Sequence, residues 1–183
     1  YIGGVQKSKL YFSSYDSISS FKGGGTTPVI KLFEYELNED SVDELDIGAN
    51  LGSSYFSVQE SKIYFTNRDG DILSYYNGEI ESYGVSGAYP EISPDGNRIA
   101  YAKSGIIFDS IRVRNLHDGS DLDVIKLPLF MHAQPNIRWS DDSYKVLIGA
   151  VSDIRKPIII SADIDGKQEC RKKTSSVSWF YYK

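Results

Sequence analysis

Ile92-Ser93-Pro94-Asp95-Gly96-Asn97-Arg98-Ile99-Ala100-Tyr101 is the stretch on which the fold turns. Pro94 stands at the second position of a four-residue turn, where its fixed φ fits, and Gly96 stands at the fourth. Apolar Ile92 runs into that turn, and a basic residue with an apolar run, Arg98-Ile99-Ala100-Tyr101, leaves it. The simplest reading is strand, tight turn, strand.

The same pattern recurs along the chain. Lys9-Leu10-Tyr11-Phe12, Lys62-Ile63-Tyr64-Phe65 and Lys145-Val146-Leu147-Ile148 repeat the basic-apolar core. A serine stands five places before the basic residue at Ser57, Ser93 and Ser140, each preceded by an apolar residue, Phe56, Ile92 or Trp139. Leu10, Ile63, Ile99 and Val146 are 53, 36 and 47 residues apart, close to the length of a four-stranded propeller blade. Ser140-Asp141-Asp142-Ser143 reads as a degenerate copy of the turn, and Ser57-Val58-Gln59-Glu60 as a weaker one. Arg68-Asp69-Gly70, Asn77-Gly78, Asp118-Gly119 and Asp165-Gly166 mark further turns. Period-two alternation points Ile111 and Val113 inward and Arg112 and Arg114 outward; Ile158, Ile160, Ala162 and Ile164 likewise face in, against Ile159, Ser161 and Asp163. With no helical stripe anywhere, the class is all-β.

These signals divide the 183 residues into one domain of four units, about 1–46, 47–84, 85–127 and 128–175, with a terminal strand at 176–183. Unit one is irregular. Gly3-Gly4 spoils its inner strand, and Ser17 to Thr26 reads as a flexible insertion. Ser178 and Lys183 occupy the serine and basic slots of the template. The favoured expectation is a small propeller of four blades, each of four antiparallel strands, whose C-terminal strand supplies the missing inner strand of blade one. Such closure removes exposed sheet edges. The alternative is a fragment of a larger propeller, with 176–183 opening a fifth blade. The chain opens on Tyr1, so the expectation includes a trimmed start.

Residues 92 to 101 resemble the repeat signature of TolB-type propellers, a W-S-P-D-G-x-x-I-A-F-like stretch joining a blade's inner strand to its second. Trp139-Ser140-Asp141-Asp142 keeps part of it. The resemblance implies radially arranged blades and no particular chemistry, since such blades serve transport scaffolds, peptidase accessory domains, lyases and partner-binding modules alike. The Gly-His and Trp-Asp pair of WD-type repeats and the S-x-D-x-G box of sialidases are missing.

Charge is uneven. Residues 1 to 91 carry 6 basic and 14 acidic groups, and residues 92 to 183 carry 14 basic and 11 acidic. Glu34 to Asp46 holds seven acids and no Lys or Arg. That field repels nucleic acid and attracts a basic protein; a charged outer strand also guards a sheet edge. No apolar run reaches membrane-spanning length.

Catalytic and cofactor signals are weak. The one cysteine, Cys170, reads as an inert strand residue, His132 as a loop residue and His117 as a turn residue. No nucleophile elbow, phosphate loop, calcium loop or metal-ligand spacing occurs, so no catalytic residue, metal or cofactor is assigned. The leading expectation is a non-catalytic module that binds a basic protein, with an acidic inhibitor or immunity protein facing a nuclease toxin as its narrowest form. Glu39, Asp40, Asp43, Glu44 and Asp46 would steer the partner, and Tyr55, Tyr75, Tyr76 and Tyr89 would anchor it. Trp139 fills a core slot instead. The competing expectation is a small-ligand or carbohydrate-processing site in a central channel, presented by Glu91, Gln134, Asn136 and Arg138 where inner strands begin. A part of a larger envelope scaffold is a third.

Overall fold

The computed structural model describes residues 2–6, 8–20, 26–47, 51–103, 110–126, 136–151, 157–166 and 169–173. Among these the regular elements are all strands, with no helix. The chain forms two compact units, Tyr1–Pro90 and Glu91–Lys183.

In the first unit, β1 (Ile2–Gln6), β2 (Lys9–Ser20), β3 (Thr26–Glu36) and β4 (Ser41–Leu45) pair antiparallel in chain order. A second ladder follows: β5 (Leu51–Gln59), β6 (Lys62–Asn67), β7 (Asp71–Tyr76) and the long β8 (Glu79–Ile92). Tyr11, Leu32, Leu51, Phe56, Ile63 and Phe65 form the core of this unit. In the second unit the end of β8 leads into β9 (Arg98–Lys103), β10 (Ser110–Asn115) and β11 (Asp121–Lys126). β12 (Asn136–Trp139), β13 (Lys145–Val151), β14 (Pro157–Asp163) and β15 (Glu169–Lys173) form the last sheet. Ile99, Ile111, Ile137, Ile148 and Ile160 are fully buried there. Each such side chain contributes about 1.5–3 kcal/mol by leaving water.

Four expectations need correction. Gly3-Gly4 does not spoil the first inner strand, because β1 pairs with β2 and absorbs the irregularity in a register shift between Ile2 and Gly4. The expected insertion is partly strand, with Ser19 opposite Thr27 and Ser20 opposite Thr26; residues 21–25 lie outside the described set. Residues 84 to 87, where the second unit was expected to give way to the third, run through the middle of β8, with a register shift between Asp71 and Leu73 of its partner. Asp163 keeps the face expected, that of its ladder partner Lys145, but it is not exposed there: it is buried and pairs with Lys145 Nζ at 3.4 Å. The tail 176–183 lies outside the described residues.

The quoted turn closes through its side chains. Gly96 N–H donates to Ser93 O at 2.8 Å, and Arg98 N–H donates to Ser93 Oγ at 2.9 Å. Ser93 Oγ donates to Asp95 Oδ1 at 2.5 Å, and Asn97 N–H donates to the same oxygen at 3.1 Å. The degenerate copy reproduces this: Lys145 N–H to Ser140 Oγ is 2.8 Å, Ser140 Oγ to Asp142 Oδ1 is 2.6 Å, and Tyr144 N–H to Asp142 Oδ1 is 3.0 Å. Ser143 takes the place of Gly96 at φ 58°. Unit two uses a different device. Glu60 and Ser61 both have positive φ, 48° and 65°, making a tight two-residue hairpin between Gln59 and Lys62.

Candidate functional site

The acidic run folds into the β3–β4 hairpin, with Glu34 opposite Asp43, Tyr35 opposite Val42 and Glu36 opposite Ser41. Leu37 N–H donates to Ser8 O at 2.7 Å, holding the turn against the β1–β2 connection. Asp40 sits at φ 50° and accepts the Tyr35 hydroxyl at 2.5 Å; that bond raises the phenol's pKa. The run contains no base, yet pairing brings two. Lys9 Nζ lies 2.6 Å from Glu34 and Lys31 Nζ lies 2.9 Å from Glu44. The hydrogen bond to Glu34 raises the Lys9 pKa. The field is therefore strongest at exposed Glu39, Asp40 and Asp43, rather than spread along the run.

Two apolar side chains stand among those acids. Leu37 is 50% exposed and Val42 is 56% exposed. Neither was read from the sequence as a contact residue; the available signal was an apolar residue, Val42, interrupting a charged outer strand. Beyond β4 a concavity of about 430 Å3 opens, with Leu45, Ile47 and Leu51 on its wall and Glu44, Asp46, Lys31 and Arg68 at its rim.

The four tyrosines are not brought together. Tyr76, 48% exposed, is carried by the β7–β8 hairpin beside the Asn77-Gly78 turn. Tyr75 packs against the core cluster. Tyr55 and Tyr89 are half-buried and meet edge to face, their centroids 5.5 Å apart, with Tyr89 at φ 56°. Tyr76 is thus the one of the four that projects.

Three of the four channel residues fall close together in the second unit. Arg138 Nη1 lies 3.2 Å from Glu91 Oε1 and donates to Ile137 O at 2.9 Å. Asn136, two residues before Arg138 on β12, shares its face. It stands opposite Gly149, and its Oδ1 is buried without a hydrogen-bond partner. Gln134 lies outside the described residues, as does His132. Trp139 is half-buried, not enclosed, and its indole N–H donates to the Glu91 carbonyl at 2.9 Å.

Several polar side chains elsewhere are engaged in structure. Lys62 Nζ pairs with Glu81 at 2.6 Å and lies over the Tyr64 and Tyr83 rings at 5.8 and 5.6 Å. Burial opposes charging Lys62, but its bonds to Glu81 and Tyr83 win and raise its pKa; burial pushes the Tyr64 phenol up to about 12. Tyr101, Arg112, Asp121 and Asp123 form a network across β9, β10 and β11. His117 Nε2 is 2.8 Å from Asn97 Oδ1, in keeping with a turn residue, and Cys170 lies in β15. Among the described residues no three metal-ligating side chains cluster, and no helix is long and apolar enough to cross a membrane.

Solved structures share this arrangement. TolB from Acinetobacter baumannii matches with a TM-score of 0.69 at 14% identity, over 92% of this chain and 41% of that one. Hydrazine synthase from Kuenenia stuttgartiensis matches at 0.56 and 14% identity, over 78% and 43%. Hsv2 of Kluyveromyces lactis, with loop 6CD replaced by a Gly-Ser linker, matches at 0.51 and 14% identity, over 90% and 55%. The fold is a TolB-like β-propeller fold. The chain spans 41% to 55% of the length of these structures, and one of them is an enzyme by name, so the likeness carries the fold alone. No protein-family model and no curated protein matches the chain.

Proposed function

We propose that this chain is a non-catalytic, protein-binding propeller module whose contact surface is the β3–β4 hairpin. The observation that carries the reading is two half-exposed apolar side chains, Leu37 and Val42, on a hairpin whose exposed acids include Glu39, Asp40 and Asp43. An apolar centre with a charged rim is the anatomy of a protein interface. The sign of the rim selects a basic partner and disfavours nucleic acid. Tyr76 adds a projecting aromatic in the same unit. The narrower form of the reading is an inhibitor or immunity protein that covers a basic enzyme, such as a nuclease toxin. Affinity capture from the source cell at low and at high salt tests it: a basic protein retained at low salt and released at high salt is expected, and salt-insensitive capture contradicts it.

A second reading is favoured by the Glu91–Arg138 pair beside the unpartnered Asn136 carbonyl oxygen, a combination able to hold a small polar molecule. Its test is a melting-temperature screen with small sugars and amides. A stabilisation lost in Asn136→Ala supports it.

On architecture, four blades closed into a ring by residues 176–183 is a further proposal. Among the described residues β1 already stands beside β2 in the first sheet; the alternative is that 176–183 belongs to a further blade. Removal of 176–183 separates the two. Loss of cooperative unfolding supports closure, and its retention supports the alternative.

A further inference from the structure

Resting on the protein-binding reading, we propose that β4 is a template strand, to which an extended, basic segment of another protein adds by backbone hydrogen bonding. Among the described residues β4 has β3 on one side and no ladder partner on the other, because it ends the order β1-β2-β3-β4. A strand edge of this kind can take a further strand by backbone hydrogen bonding. The hairpin is held in place before any partner arrives: Tyr35 Oη is bonded to Asp40, Lys31 to Glu44, and Leu37 N–H to Ser8 O. A pre-ordered edge adds a strand with little further loss of freedom.

The charge pattern selects the occupant. Val42, Asp43 and Glu44 are three successive exposed residues, so both faces of β4 carry a carboxylate and one carries an apolar side chain. A second copy of β4 laid against this edge would set acid against acid, which is destabilising. A segment alternating Lys or Arg with Val or Ile sets its bases beside Asp43 on one face and its apolar side chains beside Val42 on the other. The concavity beyond Leu45, walled by Ile47 and Leu51, takes an apolar side chain at the end of that segment. Edge protection alone accounts for Asp43 and Glu44. It does not account for a Val42 that is 56% exposed or for the adjoining apolar wall.

The test uses the full chain and a blocked six-residue peptide alternating Val and Lys, titrated by NMR with backbone assignments. Three comparisons run beside it: the same peptide N-methylated at alternate residues, a Val-Glu peptide, and the Asp43→Lys chain, with Glu39→Lys as a second exposed variant. The expected result is shifts centred on Ser41–Leu45, with at least about a tenfold loss of affinity on N-methylation, on charge reversal of the peptide and in Asp43→Lys. Equal binding of the N-methylated peptide overturns strand addition while leaving an acidic contact surface intact. Shifts centred elsewhere, or no binding at millimolar peptide, also overturn it. Protein capture that survives Asp43→Lys and Glu39→Lys removes this edge without removing protein binding.

Discussion

Ser143 Oγ accepts the backbone N–H of Asp95 at 3.0 Å, joining the turn between β12 and β13 to the turn between β8 and β9. The contact exists because the second turn is a degenerate copy. Where the first has Gly96 at φ 72°, the second has a serine at φ 58°, and its hydroxyl reaches the neighbouring turn.

That contact sets two opposing effects on one residue. Left-handed backbone costs a non-glycine residue about 1–2 kcal/mol, while the buried hydroxyl returns a hydrogen bond of about 1 kcal/mol. Ser143→Ala keeps the strain and loses the bond, so it destabilises by about 1–2 kcal/mol. Ser143→Gly loses the bond and the strain together and falls closer to the parent. Urea unfolding of both variants checks the order; a glycine variant less stable than the alanine one contradicts it.

The Glu60-Ser61 hairpin has the backbone of Asn77-Gly78 without its residues. Glu60→Asn places a residue that tolerates φ 48° and stabilises by up to about 1 kcal/mol. Ser61 is a poorer target, since its side chain also bonds Tyr11. The check is the denaturant midpoint of Glu60→Asn against the parent.

Gly52 is required by a close approach. A Cβ there would stand 2.2 Å from the Asn67 carbonyl oxygen, a backbone atom that cannot swing aside. Gly52→Ala therefore destabilises by about 1–3 kcal/mol, read from thermal unfolding.

Acid should loosen the turns. Burial disfavours the charged form of Asp95, but bonds from Ser93 and Asn97 outweigh it and hold its pKa below the usual aspartate range. The Ser140 hydroxyl does the same for Asp142. Groups with a lowered native pKa bind fewer protons folded than unfolded, so their stabilisation is present above the unfolded value. It is lost as pH falls through and below about 4. Melting temperature should hold from neutral pH to about 5 and then drop, less steeply in Asp95→Asn with Asp142→Asn. An unchanged slope in the double variant contradicts this.

The strands were legible where local chemistry and period agreed. β6, β13 and β14 fall where Lys62, Lys145 and Pro157 open apolar runs. What escaped was set by partners distant in sequence. Gly84 and Gly87 look like a linker, but β7 holds this segment in strand. Lys9 and Lys31 lie outside the acidic run and reach it only through pairing. Tyr75 and Tyr76 are adjacent and chemically identical, and the strand period sends one to the core and the other to water. Of the channel set, Glu91 and Arg138 do meet, a result of β8 and β12 entering together that no local motif encodes.

The contact surface is tested most directly by changing its charge without disturbing its fold. Glu39→Lys and Asp43→Lys, with Asp40→Asn to keep a residue suited to φ 50°, would be combined in one chain and titrated calorimetrically against the protein captured by the parent. The account predicts an unchanged circular dichroism spectrum, an affinity at least about tenfold weaker, and a shallower salt dependence. A folded variant with parental affinity and parental salt dependence would contradict it.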